Sequence, residues 1–122
     1  MAGKSLEFGK AAEESAAVFL KKCGYRIIGR NYKTRFSEID IVAEDKGVIC
    51  FIEVKARHSD LFGEPAEAVS PLKQRKISKS AACYLKENSL LERQARFDVL
   101  SVLYRKGKPE FNLIKDAFEY GI

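Results

Sequence analysis

Residues 38–55 read Glu-Ile-Asp-Ile-Val-Ala-Glu-Asp-Lys-Gly-Val-Ile-Cys-Phe-Ile-Glu-Val-Lys, two β-type stretches joined by a glycine-bearing turn. Successive side chains of a strand point to opposite faces. Glu38 and Asp40 are therefore expected on one face, as are Glu53 and Lys55, with Ile39, Ile41, Ile52 and Val54 on the other. If Lys46-Gly47 is a two-residue hairpin loop, Asp45 pairs with Val48, Asp40 lies opposite Glu53, and Glu38 lies opposite Lys55. Facing carboxylates repel unless something positive sits between them. A hard divalent cation with a lysine beside it meets that need, and it is the chemistry of metal-dependent phosphodiester cleavage. Charged residues also decorate ordinary exposed sheet faces. Here, however, the run from Gly47 to Val54 is nearly all apolar and reads as a central strand, where Glu53 and Lys55 need partners.

Working outward, residues from about Leu6 to Cys23 form an amphipathic helix with Ala12, Ala16, Phe19, Leu20 and Cys23 on its buried stripe, and Gly24 stops it. Tyr25–Tyr32 reads as a first strand at an edge. Residues from His58 to Glu67, with Gly63 and Pro65, read as a loop. Ser70-Pro71 starts a second helix, a serine cap followed by proline at the first helical position. That helix runs to about Asn88 and buries Ile77, Ala81, Tyr84 and Leu85. Ala95–Leu103 is a further strand and Phe111–Ile114 a short last one. The resulting order, α-β-β-β-α-β with a final β, is an α/β domain with a mixed sheet flanked by helices.

The chain has 122 residues, enough for one domain, and carries 22 basic against 17 acidic side chains, a net charge of +5 that suits a polyanionic partner. Cys23, Cys50 and Cys83 are widely spaced in apolar stretches and read as buried free thiols. His58 is the single histidine, which leaves no material for multi-histidine zinc sites or His-dependent triads beyond His58 itself. The first residues lack an apolar signal core and no apolar run approaches membrane-spanning length, so a cytoplasmic protein without a membrane partner is expected.

At about 100° per residue, the first helix puts Glu13 at the border of its apolar stripe, within reach of Asp40 and Glu53, and leaves Glu14 solvated. Asp40 and Glu53 are the expected ligands of Mg²⁺ or Mn²⁺, with Lys55 helping to stabilise phosphoryl charge or to position the attacking water. The second helix opens with Lys73, Gln74, Arg75 and Lys76. Lys73, Arg75 and Lys76, together with Arg57, are the expected contacts to a nucleic-acid backbone.

The frame Gly9-x-x-x-Glu13, Gly24-Tyr25-Arg26, Arg30-Asn31, Glu38-Ile39-Asp40, Phe51-Ile52-Glu53-Val54-Lys55-x-Arg57, Lys73 to Lys76 and Arg96-Phe97-Asp98-Val99 resembles the bacterial YraN family over nearly the whole chain. That family is placed in the PD-(D/E)XK nuclease superfamily with restriction endonucleases and Holliday-junction resolvases. The resemblance implies a restriction-endonuclease-like single domain. It also implies metal binding by Asp40, Glu53 and the Val54 backbone carbonyl, Lys55 as the catalytic lysine, and Glu13 as the acid added from the first helix. It departs at Ser37, where the family usually has glycine, which bears on any tight bulge there. The expected activity is Mg²⁺- or Mn²⁺-dependent hydrolysis of DNA, structured or branched. Resolvase relatives imply a homodimer, and an unidentified protein partner for activity is left open. Two other readings use the same residues: a nucleic-acid-binding module without turnover, and an assembly factor that keeps the nuclease fold.

Overall fold

Two Lys-Gly pairs set the sheet's hairpins. Lys46 and Gly47 have φ of 51° and 87°, and Lys106 and Gly107 have φ of 51° and 76°. Positive φ at both central residues is the signature of the two-residue turn whose twist matches flanking antiparallel strands. In the computed structural model, residues 2–58 and 69–119 are described, with side chains from residue 7 onward. The loop expected over His58–Glu67 lies outside them except for His58.

The elements run α1 (Ala2–Lys22), β1 (Arg26–Lys33), β2 (Glu38–Asp45), β3 (Val48–Arg57), α2 (Pro71–Glu87), β4 (Ala95–Arg105) and β5 (Lys108–Phe118). The strands form one five-stranded sheet in sequence order. Only β3 and β4 are parallel, and α2 is their crossover. This is the α/β core with helices on both faces that the sequence led us to expect. The last strand is longer than expected, eleven residues rather than four. Its charged residues and Pro109 break the apolar pattern, which an edge strand tolerates.

On one face α1 packs Ala16, Ala17 and Leu20 against Ile41, Cys50, Ile52, Leu100 and Val102. On the other, α2 packs Ile77, Ala81, Tyr84 and Leu85 against Val42, Ile49, Phe51 and Phe97. At the end of α1, the Tyr25 N–H donates to the Leu20 carbonyl and the Gly24 N–H to the Lys21 carbonyl, with Gly24 at φ 94°. That is the double hydrogen bond of a glycine-terminated helix, with Tyr25 and Leu20 in contact across it. Cys23 is exposed rather than buried, because it lies in this closing turn, past the last helical residue. Cys50 is buried, Cys83 is partly buried, and all three are free thiols. Among the described residues no helix is long and apolar enough to cross a membrane.

The start of α2 is set as expected: the Ser70 Oγ accepts from the Lys73 N–H at 3.2 Å, with Pro71 next. Ser70→Ala should lower unfolding stability by about 1 kcal/mol, read as a fall in the urea midpoint. An unchanged midpoint would show that the cap contributes nothing.

The hairpin register is the expected one from Asp45↔Val48 to Ile41↔Ile52, where the β2–β3 ladder ends. Beyond that point β2 stays paired only with β1, through Tyr32↔Ile39 and Lys33↔Glu38, while Lys55 pairs with Ser101 of β4. Neither the expected Asp40–Glu53 pairing nor the expected Glu38–Lys55 pairing is therefore part of the ladder. Nor do Ile39 and Ile41 share a face: Ile39 packs in the α2 cluster and Ile41 in the α1 cluster. The alternation breaks at Asp40, opposite Asn31 of β1, whose φ is 51°. Strands that part in mid-sheet leave backbone and side-chain polar groups free to line a cleft.

Candidate active site

That cleft, about 800 Å³, opens where β2 leaves β3 and is walled by Gly9, Lys10 and Glu13 of α1, Asn31 and Lys33 of β1, Ser37, Glu38 and Asp40, Glu53 and Val54 of β3, and Lys73 of α2. In place of the missing ladder bond, the Val54 N–H donates to Asp40 Oδ2 at 2.8 Å. In an extended strand a residue's N–H and C=O face the same neighbour, so the Val54 carbonyl points toward the same gap. Glu53 is only 6 % exposed, and its Oε2 lies 2.8 Å from the Lys73 ammonium.

The Asp40 carboxyl is pushed up to about 8. Burial is the main cause, followed by the adjacent Glu53 charge; the Val54 N–H opposes them, and a hydrogen bond to Glu53 and the Glu13 charge add to the rise. The Glu53 charge is thus close enough to oppose ionisation of Asp40. Lys73 is pulled down by burial, but the hydrogen bond and charge of Glu53 outweigh this and hold its ammonium above the usual lysine range. Lys55 follows Glu53 on the α2 face of β3 and is a near neighbour of Lys73 rather than part of the cleft wall.

Glu13 reaches the cleft as expected, and Glu14 is solvated and paired with Arg30 at 2.9 Å. Glu13, Glu38 and Asp40 each present an oxygen within 4.8 Å of the others. Asn31 holds this second group: its Nδ2 donates to Glu13 Oε1 at 2.8 Å and to Glu38 Oε1 at 2.9 Å. Sequence reasoning gave Asn31 no role. Its signal was an asparagine inside a strand, a residue that strands disfavour but that tolerates a left-handed backbone.

The expected backbone-gripping residues separate. Lys73 is drawn into the acidic centre. Lys76 is exposed on α2, and Arg75 sits two residues from Lys73, about 200° round the helix and away from the cleft. Arg57 ends β3 beside Leu103, partly buried and outside the cleft wall. Ser37, the departure from the family pattern, serves a connection that a glycine could not make. Its Oγ lies 2.7 Å from Ser80 Oγ, which is fully buried and also 2.7 Å from Thr34 Oγ1. These hydroxyls tie the β1–β2 turn to α2.

A second polar cluster, at the hairpin end of the sheet, fixes the register of the first. Asp98 is fully buried and accepts from Arg96 Nε at 2.9 Å, the Asp116 N–H at 2.9 Å and the Tyr25 hydroxyl at 3.2 Å. Arg96 also donates to Asp45 at 2.9 Å, beside the hairpin turn. A one-residue slip of β2 would turn Asp40 away from Glu53.

The family model that matches this chain, over residues 12–102, is described as "Uncharacterised protein family UPF0102". A UPF0102 protein of Syntrophus aciditrophicus is 47% identical over 116 residues, 95% of this chain and 91% of the relative. One of Desulfosudis oleivorans is 43% identical over 119 residues, 98% of this chain and 95% of the relative. One of Syntrophomonas wolfei is 45% identical over 112 residues, 92% of this chain and 97% of the relative. The chain belongs to the UPF0102 family, the YraN family that its motifs resemble.

Proposed function

We propose that this UPF0102 protein is a divalent-metal-dependent nuclease that hydrolyses phosphodiester bonds in DNA. The observation that carries the reading is the convergence of four carboxylates on one cleft: Glu13, Glu38 and Asp40 present oxygens within 4.8 Å of one another, and the buried Glu53 lines the same wall beside Lys73. A structural sheet position gains nothing from such a cluster, whereas a site for a doubly charged cation requires it.

The donor set fits Mg²⁺ or Mn²⁺: carboxylate oxygens of Asp40 and Glu53, the Val54 carbonyl, and no histidine or cysteine among the described residues of the cleft wall. Such a cation supplies Lewis acidity toward a phosphoryl oxygen and lowers the pKa of water. The chain's own residues do the rest. The Val54 N–H fixes the Asp40 carboxylate at the cleft wall through one of its oxygens. Lys73 and Lys55 bring positive charge to the same face of β3, where negative charge develops on the transferring phosphoryl group. Glu13 and Glu38, held by Asn31, give a second carboxylate pair that accepts hydrogen bonds from water or from a leaving hydroxyl. Exposed Lys10, Lys33 and Lys76 supply sequence-independent attraction to the backbone.

The test is cleavage of labelled DNA by the purified protein with Mg²⁺ or Mn²⁺. Products that require the metal and vanish with chelator are expected. Absence of product from single-stranded, duplex and branched DNA alike would overturn the proposal.

A further inference from the structure

Phe36 belongs to neither apolar cluster of the described residues, although it is only partly exposed. It sits in the β1–β2 turn, next to Ser37 and three residues from Lys33, both in the cleft wall. Two cations lie over its ring. The Arg35 guanidinium carbon is 4.9 Å from its centroid and the Lys79 ammonium 5.3 Å. Arg35, Lys79, Lys33 and Lys76 are all exposed, and none makes an ion pair among the described residues.

The turn that carries the ring is anchored. The Phe36 N–H donates to Thr34 Oγ1 at 3.0 Å, the Thr34 N–H donates to the Ser37 carbonyl at 2.9 Å, and Ser80 of α2 joins both hydroxyls. An aromatic ring held on a fixed turn outside the core, capped by exposed cations without an ion-pair partner among the described residues, has the composition of a base-stacking site. The flexible Arg35 and Lys79 side chains swing from the ring onto the flanking phosphates, and a nucleobase takes the face they leave.

We propose that Phe36 is a stacking platform for an unpaired base, so that the substrate of the neighbouring cleft is DNA with an unpaired nucleotide close to the cut. This deepens the nuclease reading and rests on it for the word substrate. Phe36 and Asp40 are four positions apart, a backbone reach of at most about 14 Å, which places the unpaired base within a few nucleotides of the scissile phosphate. A base inside an intact duplex offers no free face to the ring. Single strands, flaps and branch points do.

The chain contains no tryptophan, so Phe36→Trp installs a single reporter at the platform. In chelator, where no cleavage occurs, a single-stranded oligonucleotide should quench that emission as it binds, and a duplex of the same sequence should leave it nearly unchanged. By anisotropy, Phe36→Ala should weaken single-strand binding about 5- to 150-fold with duplex binding within twofold, and Phe36→Tyr should restore it. Because the ring lies outside both clusters, the unfolding midpoint of Phe36→Ala should stay close to wild type. Equal loss on both DNAs, or binding without quenching, overturns the platform. Stacking without cleavage under any metal sinks the nuclease reading instead, and cleavage without stacking sinks only this one.

Discussion

Asp40→Asn is expected to remove divalent-cation binding in the cleft and, at the same time, to make the metal-free protein more stable at pH 9 by about 1–3 kcal/mol. The substitution keeps the size of the side chain and an oxygen to accept the Val54 N–H. It removes the charge that burial and Glu53 oppose. The sign follows from the Asp40 carboxyl being pushed up to about 8 in the folded chain, against an unfolded value near the ordinary 3.8. Between those limits the folded state holds a proton that the unfolded state has released. Wild-type stability is therefore full below the lower value and is lost as pH rises through the upper one. The advantage of Asp40→Asn should open from about pH 4 and level off above about pH 8. Full conversion of the shift would give a larger figure, but relaxation and solvent in an open cleft reduce it. Calorimetric titration with Mn²⁺ and urea unfolding at pH 5, 7 and 9 measure both halves. A variant less stable than wild type at pH 9, or one that binds Mn²⁺ as wild type does, contradicts this account of the site.

Asp98→Ala should cost about 3–5 kcal/mol of stability, the largest effect expected of a single substitution outside the cleft. It deletes the acceptor of Arg96 Nε, the Asp116 N–H and the Tyr25 hydroxyl, and leaves Arg96 mostly buried with Asp45 as its remaining carboxylate. Uncompensated buried donors, more than lost attraction, produce the penalty. The network joins the exit of α1 to β2, β4 and β5, so its loss should also loosen the hairpin register that aligns Asp40 with Glu53. The urea midpoint is the readout. A change below about 1 kcal/mol would show that water enters and replaces the carboxylate without difficulty.

Much of the fold was legible because its signals are local. Lys46-Gly47 between alternating apolar runs sets a hairpin of one register, and Ser70-Pro71 sets the start of a helix to the residue. The same Lys-Gly signal at residues 106–107 was present, but β5 reads as short because its polar residues face solvent at a sheet edge. Within the site, the proximity of Asp40, Glu53 and Glu13 followed from strand pairing and helical periodicity. The parting of β2 from β3 did not, since it depends on the left-handed Asn31 in the neighbouring strand and on α1 and α2 closing over the gap. The Lys73–Glu53 ion pair was not foreseen for a related reason. Which turn of α2 meets Glu53 is decided by the seating of Ile77, Ala81 and Tyr84 on the sheet, and no spacing within the helix records it.

The most direct measurement incubates labelled single-stranded, duplex, flap and four-way-junction DNA with Mn²⁺ and either wild type, Asp40→Asn, Glu53→Gln or Lys55→Met. The account predicts metal-dependent cleavage by wild type, strongest on DNA with unpaired nucleotides, and a loss of at least about 1000-fold in each folded variant. Cleavage by Asp40→Asn or Glu53→Gln at the wild-type rate, or no cleavage of any DNA by wild type, would contradict it.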